Sequence, residues 1–360
     1  MKKIVTVLGA RPQFVKAAVL SRVIKKHNTI EEVIVHTGQH FDTNMSAVFF
    51  EEMKIPTPAY NLDINNMRHG AMTGQMIEEI EKVLEIEKPD ALVVYGDTNS
   101  TIAGALAAKK MHIKVVHIEA GLRSYNMKMP EEINRIVTDR VSDLLSCPTE
   151  TAIDNLRKEG FDNLPILIER HGDIMKDAVE YYSQFSKDKS SIIKDHKLQT
   201  NEFVLATIHR QENTDDTKKL SAVFTALEEI HKTQPVVLPL HPRTKAILDK
   251  LSIQPKIHLI DPVGYYSMLE LLKNCSMVIT DSGGLQKEAF FNKKQCIVVR
   301  DETEWVELVA HEFAKLVGCN TKNILQTFKT YKSFNKDFSI ELYGTDVGEK
   351  IYQSIYQLIH

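Results

Sequence analysis

The sequence predicts an α/β protein built as two doubly wound parallel-sheet domains, and three observations predict it. Short β-branched runs alternate with longer amphipathic segments along the chain, the pattern of βα units on a mostly parallel sheet. At 360 residues the chain exceeds the usual size of a single core. Residues 277–288, Met-Val-Ile-Thr-Asp-Ser-Gly-Gly-Leu-Gln-Lys-Glu, read as a buried strand, a glycine turn and a helix start, which is anion-binding architecture. An ordinary strand-to-helix connection also favours Asp, Ser and Gly, so this segment needs others beside it.

In the first half, strands are expected at 4–8, 32–36, 91–95, 114–118, 144–147 and 164–168. Helices separate them. Val15, Ala18, Val19, Arg22 and Val23 share one face of 14–26, and Met76, Ile77, Ile80, Val83 and Leu84 share one face of 73–86. Both stripes read as core-facing. In the second half the strands are 203–207, 236–240, 257–260, 277–280 and 296–300. A Lys- and Ser-rich stretch at 183–200 and the turn His171-Gly172-Asp173 put the hinge near His171, with a helix at 174–187 opening the second domain. The expected domains are therefore 1–170 and 171–345. The last segment, 348–360, is helical, with Ile351, Ile355 and Leu358 on one face. Two such domains facing each other would put their strand ends on either side of one cleft.

Composition removes several classes of function. Lys+Arg 45 against Asp+Glu 48 leaves a net charge of -3, with no basic stripe for nucleic acid. Cys147, Cys275, Cys296 and Cys319 are too far apart for a zinc site or a secreted disulfide framework, and fit reduced thiols in a cytoplasmic protein. The basic, apolar N-terminus runs quickly into Arg11 and Lys16, so it reads as a first strand and not a signal peptide. No apolar stretch is long enough to span a bilayer.

Polar residues collect where the strands should finish. After the first strand, Gly9-Ala10-Arg11-Pro12-Gln13 turns the chain into a helix carrying Lys16, and the two cations invite an anion. The next strands end in His36-Thr37-Gly38-Gln39-His40 and Gly96-Asp97-Thr98, where Asp97 is either a helix cap or a functional carboxylate. The run His117-Ile118-Glu119-Ala120-Gly121-Leu122-Arg123 puts Glu119 among apolar residues, where it is either paired or functional. Pro130-Glu131-Glu132-Ile133-Asn134-Arg135 starts a helix, whose dipole accounts for one of its two glutamates. In the second half, strands exit at His209-Arg210-Gln211-Glu212-Asn213 and at His241-Pro242-Arg243, a basic and titratable rim. The spacing matches no metal motif, and the first glycine loop is neither G-x-G-x-x-G nor a Walker loop. These residues alone indicate an enzyme acting on a phosphorylated or nucleotide-bearing ligand, without specifying the reaction.

Taken in order, Gly9-Ala10-Arg11-Pro12 with Lys16, Gly96-Asp97-Thr98, the Glu119 and Glu131 segments, His209-Arg210-Gln211-Glu212-Asn213 and Asp281-Ser282-Gly283-Gly284 with Glu288 resemble the non-hydrolysing UDP-N-acetylglucosamine 2-epimerase family across nearly the whole chain. The resemblance implies a GT-B-like fold of two Rossmann-type domains, a C-terminal helix at 346–360 returning to the first domain, a homodimer, a UDP-sugar substrate and no redox cofactor, and the spacing above gives no metal to expect. It implies that UDP leaves C1 while a base takes the C2 proton, and that re-addition with protonation on the other face inverts C2. Asp97, Glu119 and Glu131 are then the acid and base candidates, and His209 serves the departing phosphate. Arg11, His241, Ser282, Gly283 and Gly284 bind the nucleotide, Glu288 binds its ribose, and Lys16 and Arg135 support the carboxylates.

The chain departs from the commonest family pattern, with Gly-Ala-Arg-Pro-Gln for Gly-Thr-Arg-Pro-Glu and Trp305 where a ligand-facing Arg is usual. This resembles the branch that includes epimerases of UDP-2,3-diacetamido-2,3-dideoxyglucuronate, a surface-polysaccharide precursor. Its C6 carboxylate would want a cation, and Lys16, His40, Arg68 and Arg123 are the candidates. Rival readings are a UDP-sugar glycosyltransferase, a hydrolysing epimerase and a non-catalytic sugar-nucleotide sensor; clustered carboxylates in the first half favour proton chemistry.

Overall fold

The computed structural model describes residues 1–39, 53, 55–334 and 336–360, apart from the Arg11 side chain. The chain divides into two compact units, one of residues 1–178 with 341–360 and one of residues 179–340.

Unit 1 holds a seven-stranded, wholly parallel sheet: β1 (Lys2–Leu8), β2 (Ile30–His36), β3 (Tyr60–Asn61), β4 (Ala91–Tyr95), β5 (Lys114–Ile118), β6 (Leu144–Cys147) and β7 (Leu167–Arg170). The strand order is β3-β2-β1-β4-β5-β6-β7. The central strands β1 and β4 are nearly continuous in buried residues because helices cover both faces. On one face Val5, Val7, Leu92, Val94 and Val115 pack against Met76, Ile80 and Val83 of α2 (His69–Glu87) and Ala103 and Ala107 of α3 (Asn99–Lys110). The helix α1 (Arg11–His27) ends at Asn28, which takes the left-handed conformation that closes a helix, after Lys25, Lys26 and His27 have placed positive charge at its C-terminus.

Unit 2 repeats the plan with β8 (Val204–Thr207), β9 (Val236–Pro239), β10 (His258–Ile260), β11 (Met277–Thr280), β12 (Cys296–Val298) and β13 (Ala314–Leu316). All pairs are parallel, in the order β10-β9-β8-β11-β12-β13. Each sheet reverses direction once, between β1 and β4 and between β8 and β11. In doubly wound sheets that switch point, at the strands' carboxyl ends, is where ligands bind.

Two expectations change. The seventh strand begins at Leu167 and not at 164, because the Leu164 amide closes a turn onto Phe161 O (2.9 Å). The turn His171-Gly172-Asp173, expected at a hinge, lies inside unit 1, and the division falls at 178/179, within the helix Ile174–Lys189. The His171 ring meets Ser146 Oγ (2.8 Å) and Ser354 Oγ (2.9 Å), the Asp173 amide donates to Tyr343 O (2.8 Å), and a Cβ on Gly172 would stand 2.1 Å from the same Tyr343 oxygen. A turn held that tightly cannot serve as a joint. The last helix, Val347–Ile359, belongs to unit 1, burying Ile351 and Ile355 and pairing Glu349 with His27 (2.6 Å).

Candidate active site

The unit 1 site starts from Gln13, which is 1% exposed. Its Oε1 accepts from the Gly9 and Ala10 amides (2.8 and 2.9 Å), orphan donors at the start of α1, and its Nε2 donates to Tyr95 O (2.8 Å) and Thr101 Oγ1 (3.0 Å). One side chain thus ties the β1 exit to the β4 exit across the switch point. It also carries Lys16, one helical turn on, to the end of β5, where its ammonium pairs with Glu119. Glu119 has φ +71°, a left-handed conformation costing a non-glycine residue about 1–3 kcal/mol. Its amide and that of Ala120 share Ser146 O (3.1 Å each), which over-determines the bend.

Gly96 has φ +63°, and a Cβ there would lie 3.1 Å from Glu119 Oε2 and 3.6 Å from Lys16 Nζ. The glycine is what lets the pair close over the β4 exit. The next residue, Asp97, is not the helix cap. Thr98 caps α3, its Oγ1 accepting from the Thr101 amide, so the Asp97 carboxylate is released to meet Arg135 Nε (3.0 Å) and Nη2 (2.7 Å). Arg135 belongs to α4 (Pro130–Val141), and its Nη1 donates to Glu132 (2.6 Å). The two glutamates at that helix start part company. Glu132 is buried and accepts from the Ser124 and Tyr125 amides (3.0 and 2.8 Å); burial alone would raise it, but these bonds and Arg135 outweigh burial and hold it below the usual carboxylate range. Glu131 is exposed, with no hydrogen bond or ion pair among the described residues. The structure joins Lys16 to Glu119 and Arg135 to Asp97; Glu131 stands apart from both.

Behind Glu119 lies a buried charged network. Arg123 donates to Asp139 Oδ2 (2.7 Å) and to both carboxylate oxygens of Glu159 (2.7 and 2.8 Å). It is spent on the protein's own carboxylates, which corrects its candidacy as a ligand cation. Of the other candidates Lys16 is paired, Arg68 is exposed as the cap of α2, and His40 lies outside the described residues.

In unit 2 the β8 and β11 exits are joined by Asp281, which is fully buried. Its carboxylate accepts from the His209 amide (3.0 Å), the Arg210 amide (2.9 Å) and Asn213 Nδ2 (3.2 Å). His209 Nδ1 lies 3.4 Å from Asp281 Oδ1, its ring is 5.4 Å from that of His241, and its side chain is 37% exposed. His241 caps the helix Pro242–Lys250 through Nδ1, which accepts from the Arg243 amide (3.2 Å). Ser282 caps the helix Gly283–Phe291, its Oγ accepting from Leu285 N (3.4 Å). No heavy atom would lie within 4 Å of a Cβ on Gly284, and one on Gly283 would face Glu304, Arg300 and Arg210 at 3.7–3.9 Å. Space beside this helix start is thus open at Gly284 and, at Gly283, bordered by the Arg300 and Arg210 guanidinium groups and the Glu304 carboxylate they pair with; a helix start beside cations can serve as an anion cradle. Glu288 is nearly buried on the same helix. Trp305 offers no flat surface to a ligand: it is 4% exposed, with the Lys287 ammonium 3.8 Å from its ring centroid. Among the described residues no group of three His, Cys, Asp or Glu is arranged for a metal ion, and no helix is long and apolar enough to cross a membrane.

Sequence reasoning missed Gln13 and Thr98 as organisers and Asp281 as the anchor of His209. The only signal for them was their position beside a strand exit.

Two Rossmann-type sheets, each with titratable and cationic side chains at its switch point, define an enzyme of the GT-B-like class. A sequence model of the family described as UDP-N-acetylglucosamine 2-epimerase matches residues 22–355, and the chain belongs to that family. It is 51% identical, over 95% of this chain and 96% of the relative, to UDP-2,3-diacetamido-2,3-dideoxy-D-glucuronate 2-epimerase of Pseudomonas aeruginosa. It is 39% identical to UDP-N-acetylglucosamine 2-epimerase of Methanocaldococcus jannaschii, over 97% of both chains. Among solved structures, the Methanocaldococcus jannaschii enzyme in complex with UDP-GlcNAc and UDP superposes with a TM-score of 0.90 at 38% identity, over 99% of both chains. The Neisseria meningitidis enzyme bound to UDP-GlcNAc gives 0.87 at 33% identity, over 99% of this chain and 100% of the other.

Proposed function

We propose that this protein is a non-hydrolysing UDP-N-acetylglucosamine 2-epimerase that interconverts UDP-N-acetylglucosamine and UDP-N-acetylmannosamine. The observation that carries the reading is the pair of carboxylates flanking Gly96, Glu119 against Lys16 and Asp97 against Arg135. Inversion at C2 needs a proton removed from one face and returned to the other, hence two carboxyl groups in different settings. One takes the C2 proton, the C–H electrons become the C1=C2 bond, and the C1–O bond breaks with its electron pair leaving on UDP. Re-addition of UDP with protonation on the opposite face completes the reaction, which is redox-neutral. Glu131, exposed at the start of α4, is the third acid or base candidate. The Ser282-Gly283-Gly284 turn, with Arg11 and His241, holds the nucleotide, and His209 meets the charge that develops on the departing phosphate. We read the enzyme as a cytoplasmic homodimer supplying precursors for surface polysaccharide.

The 51% identity to the Pseudomonas aeruginosa relative favours a second reading, the same chemistry on UDP-2,3-diacetamido-2,3-dideoxyglucuronate. Proton NMR in heavy water with each UDP-sugar tests both. Deuterium at C2 together with a manno-configured UDP-sugar is expected, and the substrate giving the faster exchange is the native one. Release of free sugar and UDP, or no exchange with either substrate, would overturn the reading.

Two substitutions test the assigned roles. His209→Asn should abolish turnover while leaving UDP affinity near normal; unchanged turnover would remove His209 from the mechanism. Glu288→Ala should weaken UDP binding by about 10- to 100-fold, the worth of a charged hydrogen bond to ribose. Calorimetry giving an unaltered affinity in the folded variant would refute that contact.

A further inference from the structure

His117 and Asp139 are both fully buried, and neither has a part in the chemistry described above. His117 Nδ1 lies 2.7 Å from Asp139 Oδ1, and Nε2 lies 2.7 Å from the Gly96 carbonyl oxygen. A carboxylate and a carbonyl are both acceptors, so the two bonds form together only when both ring nitrogens carry protons. The Asp139 carboxylate also accepts from Arg123 Nη1 (2.7 Å) and from the Gly121 amide (3.2 Å). The pair therefore grips both flanks of Glu119: the Gly96 turn over which Glu119 and Lys16 close, and the chain two residues beyond Glu119. Gly96 is itself pinned through its amide to Ile118 O (2.9 Å), so its carbonyl direction, and with it the course of the chain into Asp97, is set by the histidine.

We propose that His117 is a positioning residue, bridging Asp139 and the Gly96 carbonyl through both ring N–H groups so that the Gly96 turn keeps Asp97 and the Lys16–Glu119 pair at their working separation. The proposal rests on the function above in taking those carboxylates as the reacting groups. A packed core histidine would need only one of these bonds; the second reaches the turn between the two carboxylates. Displacing such groups by an ångström costs about 100-fold in rate.

The bridge is tested directly in the wild-type protein labelled with 15N-histidine, at about pH 7. The ring assigned by its Overhauser contacts to Gly96 should show protons on both nitrogens, protected from exchange; one bare nitrogen would overturn the proposal. The turnover test is His117→Gln, which retains a donor of similar reach. The expected result is a fall in kcat of about 10- to 100-fold, with KM and UDP affinity near wild type, in a variant still folded at the assay temperature. A folded variant with unchanged kcat would overturn the positioning role. Should the variant not fold, the nitrogen spectrum still decides. A wild-type protein inactive on both UDP-sugars would defeat the proposed function, whereas the spectrum tests the bridge independently.

Discussion

Glu119→Gln is expected to lower kcat by about 100- to 10,000-fold, the usual worth of a general acid or base, with UDP affinity within a factor of about two. The amide keeps the size of the side chain and still offers Lys16 an oxygen, so the left-handed bend and the packing over Gly96 survive. What is lost is the capacity to exchange a proton with C2. UDP affinity is spared because Glu119 is not among the residues proposed to hold the nucleotide. The measurement is a steady-state rate beside a solvent deuterium exchange rate at C2. Both should fall together in a protein of unchanged melting temperature. Wild-type exchange in the variant would leave the chemistry to Asp97 and Glu131 and remove Glu119 from it.

Arg123→Met should destabilise unit 1 by about 3–5 kcal/mol, the cost of stranding one member of a buried ion pair. Methionine fills much of the volume, but Asp139 loses its guanidinium partner in a site closed to water. Burial alone would raise Asp139; the bonds and charges of His117 and Arg123 outweigh that and hold it below the usual carboxylate range. A carboxylate depressed in the folded state contributes stability above its unfolded value of about 4, and the contribution disappears as pH falls through the folded value. The variant should therefore lose stability at neutral pH and show a weaker dependence on acid below about pH 4. Urea titrations at several pH values read both effects. A loss below about 1 kcal/mol, typical of an exposed pair, would show that the guanidinium is not what stabilises Asp139.

Strand and helix periodicity carried most of the architecture because parallel strands buried on both faces are unbroken apolar runs. Ala314–Leu316 escaped because three residues with a lysine at the centre make no such run, and Tyr60–Asn61 because two residues carry no period. Side-chain roles were harder to read, since they depend on partners far away in sequence. Asp97 and Thr98 are equally good caps on paper; only Arg135, 38 residues on, separates their tasks. Glu131 and Glu132 are indistinguishable until the Ser124–Tyr125 chain bends back onto the second of them. Arg123 looked available for a ligand because nothing nearby announces Asp139 and Glu159. Trp305 stands where the family has a ligand-facing Arg, yet its burial was not legible because its cover, Lys287, lies 18 residues earlier and reaches it only in the folded unit.

Unit 2 is one uninterrupted stretch of chain, whereas unit 1 is completed by residues 341–360. During synthesis unit 2 therefore has its full complement of residues first, while unit 1 still lacks Ile351, Ile355 and the Ser354 hydroxyl that meets His171. Until the last helix arrives, the α1 face that it covers is bare apolar surface, including the groove at Val19 into which Gly348 fits too closely for any Cβ. The domain carrying the proposed proton chemistry is thus the last to mature, and a ribosome that stops after residue 340 releases a complete unit 2 beside an unfinished unit 1.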